Sequence, residues 1–410
     1  MKTQKNQSAY LGQRNVAIDL LRAITMATML MVNDFWSVTG IPHWMHHAAW
    51  GEDMLGFSDL VFPTFLFCVG LSIPYAVYNM QQRGRTEGDV IRHILSRSFA
   101  LLLMGAFICN YESGIDPAVG YDKAGYSVMM TVAFFLVYCQ MGDRGWAKVV
   151  CRIAGWSVLL YLLVTSRSPE GALFHPSWWG ILGLIGWAYL FCALVYALGR
   201  RLLTSIVVWV MLLLVCLLCS ETADYSAFAG VAIWSLPQPN MLDLALSILH
   251  VGNASSHLLV MSGVLFSALY LGPYQRWTVS QRICRTMCMA ALLVVAAIAS
   301  HQLFIFSKLI GTLPWVFATL AIDVVLYLVL DLLVTSGRAH WLRAFNVAGT
   351  ATLTCYMIPY VLYPLTTWTI GWQWSSAIPA PLGIVKCMAF SALCILITYA
   401  LGKVRVKLRV

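Results

Sequence analysis

The main shortage in this sequence is charge: Asp, Glu, Lys and Arg together make up only 10% of its 410 residues. Soluble domains carry about a quarter, whereas 60% of this chain is hydrophobic and its mean hydropathy is +0.76. This balance excludes an ordinary soluble domain and indicates a chain whose solvent is mostly lipid. The 16 Trp and 18 Tyr agree, because their rings settle at membrane–water interfaces.

Other signatures are missing as well. Most of the 12 cysteines fall inside apolar runs, so they predict small buried hydrophobic residues and not a disulfide framework. The C-x-x-C at Cys216 and Cys219 has no His or acidic neighbour, which disfavours a metal or redox site there. The sequence shows no internal repeat. Its first 15 residues lack a cleavable apolar core, so we expect the first apolar run to be retained.

Long apolar runs are abundant, and runs of roughly 17–25 residues are typical of membrane-spanning helices. They predict an all-α, polytopic integral membrane protein with eleven or twelve transmembrane helices. The predicted spans are 15–37, 58–79, 90–110, 125–141, 146–164, 177–199, 203–219, 255–271, 285–305, 314–335, 345–368 and 383–402.

The basic residues are distributed unevenly along this topology. With the N-terminus in the cytoplasm and alternating helices, 21 of the 26 basic residues lie on the inner side. The positive-inside rule requires this asymmetry, so we predict cytoplasmic N- and C-termini. Cytoplasmic loops then account for the net charge of +9, and no basic stripe with interleaved aromatics indicates nucleic-acid binding. The outer side retains Lys123, Arg167, Lys308 and Lys386.

This topology predicts a single domain over 1–410, with a cytoplasmic tail at 1–14. Two long extracytoplasmic loops follow, at 38–57 and 220–254, and neither contains Lys or Arg. We expect a multi-pass protein of the cell (inner) membrane, surrounded by membrane lipid and without a nucleic-acid partner. A homodimer is left open.

Charged residues inside the spans are costly in lipid and need a partner or a function. Asp19 and Arg22, three residues apart, are predicted to form an ion pair near the cytoplasmic boundary. A structural role and a role in binding both remain open for this pair. Asp323 lies in the middle of the tenth span without an obvious partner in the sequence. It must pair, carry a proton or face a wet cavity.

Histidines concentrate on the predicted outer side, and three of them lie in the 38–57 loop. Because histidine titrates near neutrality, it is the usual general base or metal ligand. The H-x-x-H-H pattern lacks the i, i+4 spacing of a helical zinc site, so we predict no metal. An interfacial loop with solvated histidines is the alternative. The outer histidines are His43, His46, His47, His175, His250, His257 and His301.

Three segments give a more specific signal: AIDLLRAITMATMLMVND (17–34), HHAAW (46–50) and FSDLVFPTFLFCVGLSIPYA (57–76). Together they resemble the opening of the heparan-alpha-glucosaminide N-acetyltransferase family of transmembrane acyltransferases. Segments 178–190, 307–319 and 346–360 agree more loosely. Ala23 stands where the family usually has Gly, and the doubled histidine leaves the register to be tested. The matching positions are Asp19, Arg22, Asn33, His47, Ala48, Trp50, Asp59, Leu60, Val61, Phe62, Pro63 and Gly70.

The resemblance implies a membrane-bound acetyltransferase. Cytoplasmic acetyl-CoA would supply the acetyl group, and the amine or hydroxyl of an extracytoplasmic sugar or glycan would receive it. His47 would be the general base, and the amide of Asn33 would stabilise the developing oxyanion. Expected acceptor contacts are Asp59, Trp50, His46 and His257. Expected partners of the CoA phosphates are Arg22, Arg276 and Arg282.

Two other functions remain as alternatives. A proton-coupled multi-helix transporter would use Asp323, Asp19 and the outer histidines. It predicts two similar halves with broken helices in matching positions, and the sequence shows neither. A catalytically inactive relative is the third candidate, against which the intact Asn33, His47 and Asp59 argue. The sequence does not identify the acceptor, nor whether His47 holds the acetyl group covalently.

Overall fold

The protein is described here by a computed structural model that covers residues 15–139, 145–199, 202–219, 250–271, 277–339, 345–371 and 378–408. Within these ranges it is built almost entirely of helices, with two strands of two residues each, β1 (Val38–Thr39) and β2 (Ile378–Pro379). The helices are α1 Val16–Asn33, α2 Val61–Gln82, α3 Glu87–Ser113, α4 Lys123–Tyr138, α5 Gly145–Thr165, α6 Gly180–Gly199, α7 Leu202–Cys219, α8 Ser255–Phe266, α9 Val279–His301, α10 Leu313–Thr335, α11 Asn346–Thr350, α12 Thr352–Met357, α13 Pro359–Ile370 and α14 Ala380–Lys403.

Eight helical segments of the described chain are long and apolar enough to cross a membrane. Three shorter apolar helices, Lys123–Tyr138, Leu202–Leu218 and Ser255–Leu269, occupy further predicted spans. The protein is therefore an all-α, multi-pass membrane protein, as the apolar runs predicted. The exact count of eleven or twelve spans and the cytoplasmic termini stay predictions.

Two predicted spans differ in detail from the observed helices. The run at 345–368 is divided into α11, α12 and α13, and α13 begins at Pro359, which cannot donate a backbone hydrogen bond to a continuing helix. Helix α9 begins at Val279, well before the predicted 285, because Thr278 and Gln281 form a capping box. Arg282 therefore lies in the first turns of a helix and not in an inner loop.

The chain divides into two compact units. The first comprises Met1–Thr25, Pro42–Leu95 and Trp187–Arg343, and the second comprises Met26–Ile41, Ser96–Gly186 and Ala344–Val410. The single-domain organisation over 1–410 stays a prediction.

In the first unit, α2 packs against α8 and α10, while α9 runs along α10 and α7 contacts α8. Aromatic rings join three of these helices. Phe67 of α2 meets Phe266 of α8 edge to face at 5.7 Å, and Phe266 meets Tyr327 of α10 at 5.4 Å. Such pairs add about 0.5–1.5 kcal/mol each beyond the area they bury. They hold together helices that carry the candidate site at one end.

In the second unit, α4 packs against α5 and α13, and α11 and α12 pack against α14. Val38 of β1 pairs in parallel with Ile378 of β2. The side chain of Asp34, just beyond α1, is completely buried; it forms an ion pair with Lys386 of α14 at 3.1 Å and accepts a hydrogen bond from Tyr363 at 3.0 Å. These contacts fix the end of α1, where Asn33 lies.

Candidate active site

The segment between α1 and α2 folds back on itself through two short 3-10 helices, His43–Met45 and Phe57–Leu60. The Ser58 hydroxyl donates a hydrogen bond to the carbonyl of Met45 at 2.6 Å. Gly56 packs directly against the backbone of His46, where a Cβ atom would stand only 2.0 Å from the carbonyl oxygen. Only glycine fits this approach, and the approach brings the residues after His46 close to those after Gly56.

The centre of the site is a pair formed by His47 and Asp59. The two atoms His47 Nδ1 and Asp59 Oδ1 are 2.6 Å apart, and the backbone N–H of Ala48 donates to Asp59 Oδ2 at 2.9 Å. The Asp59 side chain is 1% exposed, whereas that of His47 is 46% exposed. Because a carboxylate can only accept, Nδ1 carries the proton and donates. His47 Nε2 is then left with a lone pair for chemistry.

Two further residues contact the His47–Asp59 pair: one lies in the turn before α10 and the other in α10 itself. Trp315 Nε1 donates to the backbone carbonyl of Asp59 at 3.1 Å, and Lys308 Nζ lies 3.4 Å from His47 Nδ1. Burial lowers the pKa of Lys308, and the nearby Asp59 carboxylate partly opposes that effect. A buried carboxylate, an imidazole and an ammonium therefore meet at one point of the first unit.

The turn that carries Lys308 is braced by hydrogen bonds. Thr312 Oγ1 donates to Ile305 O at 2.6 Å, and Asn253 Nδ2 donates to Gly311 O at 3.1 Å. Gly311 has φ +72°, and a Cβ there would meet the Ser255 hydroxyl at 2.4 Å. The Lys308 backbone is therefore held by contacts that only glycine at 311 permits.

Further contacts tie the same turn to the loop that carries His47. Asp53 Oδ1 accepts a hydrogen bond from the backbone N–H of Phe306 at 2.8 Å, and Met54 N donates to Phe306 O at 3.2 Å. His301 Nε2 lies 3.5 Å from Asp53 Oδ2. Asp53 thus joins the two loops, but none of its described contacts is with His47.

The other predicted acceptor residues occupy different positions. Trp50 is exposed, and the partly buried His46 side chain makes no hydrogen bond or ion pair within the described residues. Asp59, in contrast, is buried and has one carboxylate oxygen against His47 and the other against the backbone N–H of Ala48, and its acceptor contact stays a prediction. His257 is only 2% exposed in α8, beside the Phe191 ring. Neither of its ring nitrogens has a hydrogen bond with any residue the structure describes.

Asn33 ends α1 in the second unit, with an exposed side chain. Its oxyanion role stays a prediction.

Two of the three predicted donor-binding arginines are already paired. Arg22 lies 3.7 Å from Asp19 and donates to the Ser72 hydroxyl of α2, and Arg282 lies 3.2 Å from Asp331. Along α2, Ser72 is about 20 Å from the Asp59 end, at 1.5 Å per residue. Arg276 and most of the 220–254 loop lie outside the described residues.

Asp323, the unexplained charge in the tenth span, is 0% exposed. Its Oδ1 is 2.5 Å from Thr64 Oγ1, and that hydroxyl is also 2.7 Å from the carbonyl of Leu60. The hydroxyl has one proton to share between two oxygens, so both contacts are hydrogen bonds only if Asp323 carries a proton. The geometry therefore favours a neutral carboxylic acid at Asp323.

No group of three or more His, Cys, Asp or Glu side chains in the described part of the chain could hold a metal ion.

Comparison with known proteins shows what the region around this site resembles. Residues 14–115 match the family model for heparan-alpha-glucosaminide N-acetyltransferase, catalytic. This region is similar to the catalytic part of the heparan-alpha-glucosaminide N-acetyltransferase family. The match includes His47 and Asp59, and the predicted resemblance is confirmed over it.

Two curated relatives agree. Heparan-alpha-glucosaminide N-acetyltransferase from Homo sapiens is 32% identical over 125 residues, which is 30% of this chain and 18% of the relative. The Mus musculus protein of the same name is 31% identical over 124 residues, 29% of this chain and 18% of the relative. The aligned part thus spans less than a fifth of each relative's length.

Sequence reasoning missed Lys308 and Trp315 as parts of the site. Both lie in the segment 307–319, whose loose agreement with the family was the available signal.

Proposed function

We propose that this protein is a membrane-bound acetyltransferase. It takes the acetyl group of acetyl-CoA on the cytoplasmic side and transfers it to the amine or hydroxyl of an extracytoplasmic sugar or glycan. We place it in the cell (inner) membrane. The observation that carries this proposal is the 2.6 Å contact between His47 and the buried Asp59, inside the region similar to the family's catalytic part.

His47 acts as the general base. The His47 Nδ1–H group donates a hydrogen bond to Asp59, which fixes the tautomer and leaves Nε2 to take the proton of the attacking amine or hydroxyl. The nucleophile forms a bond to the thioester carbon, and the carbon–sulfur bond then breaks. The CoA thiolate leaves and takes up a proton. The Asn33 amide donates to the oxyanion that develops at the carbonyl oxygen.

A covalent route is the variant of this mechanism. His47 Nε2 would attack the thioester itself, release CoA and hold the acetyl group until the acceptor arrives. We favour direct transfer, because an acetyl-imidazole on a half-exposed side chain would be lost to water unless the loop covers it.

The donor would enter from the side of Arg22, Arg276 and Arg282, whose charges suit CoA phosphates. Since Arg22 and Arg282 already hold carboxylates, donor binding would have to compete with Asp19 and Asp331. Changing either arginine to glutamine should weaken acetyl-CoA binding more than acceptor binding. Equal acetyl-CoA binding in all arginine variants would contradict a cytoplasmic donor site.

The deciding experiment uses the purified protein, acetyl-CoA and a panel of amino sugars and sialic acids, with released CoA as the readout. His47→Ala should retain acetyl-CoA binding and lose turnover on the order of 10²–10⁴-fold. Asn33→Ala should lose about 10²–10³-fold through the missing oxyanion donor.

His46→Ala is the matched control, because it removes the adjacent imidazole without touching Asp59. It should do much less than His47→Ala, and the reverse ranking would show that the motif register is wrong. An acetyl group found on the 38–57 peptide in the absence of acceptor, and competent to acetylate added sugar, would establish the covalent route. No CoA release with any acceptor would overturn the proposed function.

A further inference from the structure

Lys308 approaches His47 on the side of the imidazole that faces Asp59. Its Nζ is 3.4 Å from His47 Nδ1, while Asp59 Oδ1 is 2.6 Å from the same nitrogen. One ring nitrogen cannot both donate to the carboxylate and accept from the ammonium. Because the carboxylate contact is the shorter and Asp59 has no proton to give, Nδ1 donates to Asp59. The contact with Lys308 is therefore one between a cation and an N–H group.

This contact affects the two protonation states of His47 differently. Neutral imidazole tolerates a nearby ammonium, but imidazolium is repelled by it, because a like charge within about 4–6 Å disfavours the charged form. Asp59 alone would favour the imidazolium, which cannot act as a base. Lys308 supplies the opposing charge, from a turn that Thr312 and Asn253 hold in place.

We propose that Lys308 is a positioning residue for the transfer: its ammonium balances the buried Asp59 carboxylate and keeps His47 neutral until the acceptor delivers a proton. This inference rests on the proposed function. In the reaction, the acceptor's proton moves to His47 Nε2 as the new bond to the acetyl carbon forms. The resulting imidazolium is repelled by Lys308, and the proton passes to the departing CoA thiolate when the carbon–sulfur bond breaks.

The other titratable groups near Lys308 do not provide this balance. From the 46–59 segment, His47 and Asp59 face it directly. Asp53 and His301 flank the same turn but pair with each other at 3.5 Å. Lys308 is thus the cation that the described residues place against the His47–Asp59 pair.

The test compares Lys308→Met, Lys308→Gln and Lys308→Arg with the wild-type chain in lipid nanodiscs. Lys123→Met serves as the control, because it removes an exposed lysine of the second unit. The first readout is kcat/KM against pH with acetyl-CoA and glucosamine. In the Met and Gln variants, the acid limb of the profile should move to higher pH by about one unit or more. Activity near neutrality should fall about tenfold and recover at higher pH. Lys308→Arg and Lys123→Met should keep the wild-type limb.

A merely structural lysine would lower activity at all pH values without moving the limb. That result, or an unmoved limb in both neutral variants, would overturn the inference.

The second readout needs neither acetyl-CoA nor an acceptor. Diethyl pyrocarbonate acylates neutral imidazole, and mass spectrometry of the 38–57 peptide follows its reaction with His47 as a function of pH. The midpoint should move upward in Lys308→Met and Lys308→Gln. A moved midpoint without any acetyl transfer would remove the proposed function and leave the effect on His47 standing. Acetyl transfer with an unmoved midpoint would support the proposed function and overturn the inference about Lys308.

Discussion

The structure makes its sharpest prediction for Asp59→Asn, which changes one oxygen into an NH₂ group at nearly constant size. In the native protein both oxygens accept hydrogen bonds, one from His47 Nδ1 and the other from the buried backbone N–H of Ala48. An asparagine has a single oxygen and cannot serve both donors. Its orientation therefore decides the outcome.

If the amide oxygen faced His47, the NH₂ group would oppose the Ala48 N–H and leave a buried donor unpaired. That costs about 1–3 kcal/mol. The opposite orientation keeps the Ala48 hydrogen bond and turns the NH₂ group towards His47, which can adapt by changing tautomer. We expect the second orientation because it satisfies every donor. Folding should therefore change little.

The same adaptation removes the base. Once Nδ1 accepts from the asparagine, Nε2 carries the proton and cannot take another from the acceptor. Turnover should fall by about 10²–10⁴-fold, which corresponds to about 3–5 kcal/mol in the barrier. The assay is CoA release from acetyl-CoA with an amino sugar, together with thermal unfolding in detergent.

Asp53→Asn is the matched control, since Asp53 lies on the same segment and accepts a backbone N–H from Phe306 but does not touch His47. It should retain most of the activity. Turnover within about tenfold of wild type in Asp59→Asn, or an equal loss in Asp53→Asn, would refute the tautomer argument.

Three further changes test other charged groups. Asp323→Asn should keep expression and activity, because an amide can donate to Thr64 as the protonated acid does; a well-folded but inactive variant would indicate a proton path instead. Since burial lowers the pKa of Lys308, the unfolded chain holds that proton more tightly than the folded one. The melting temperature of wild type should therefore rise relative to Lys308→Met as pH increases from neutral towards about 10, and an unchanging difference would contradict this. Asp19→Asn should reduce expression by leaving Arg22 without its carboxylate, and normal assembly without turnover would move the pair into the active site.

The helices could be predicted from the sequence because lipid demands long apolar runs, and every predicted span contains helical structure in the described residues. The division of 345–368 into α11, α12 and α13 was not predicted. Apolar content is nearly constant across Ala351 and Pro359, so a hydropathy pattern does not register a break there. The early start of α9 was missed because a search for apolar runs does not detect a polar first turn. That turn is specified by the capping pair of Thr278 and Gln281.

For the candidate site, His47 and Asp59 were both predicted from the sequence, but with unrelated roles. Asp59 was predicted to contact the acceptor, and it is buried with both oxygens occupied. The eleven residues between them form mostly irregular structure, and no periodicity describes such a segment. Their pairing depends on the close approach of Gly56 to the backbone of His46. That contact depends on a single glycine, and a single glycine produces no regular pattern in the sequence.

The placement of charges along the sequence was not enough to assign Lys308 to the candidate site. The predicted topology assigned it to the same side as His47, but as one of four scattered outer cations it had no distinguishing feature. It is 261 positions from His47 along the chain, and only the packing of the braced turn against the 46–59 loop brings the two together. The pKa of a lysine that faces a buried carboxylate also differs from the pKa of exposed lysines, and the sequence does not show this difference. Burial lowers the pKa of Lys308, and the neighbouring Asp59 carboxylate partly opposes that effect. The same reasoning extends to Asp323, where the two contacts of the Thr64 hydroxyl favour the neutral form: in this protein the environment of each ionisable group, more than its identity, determines which form can act.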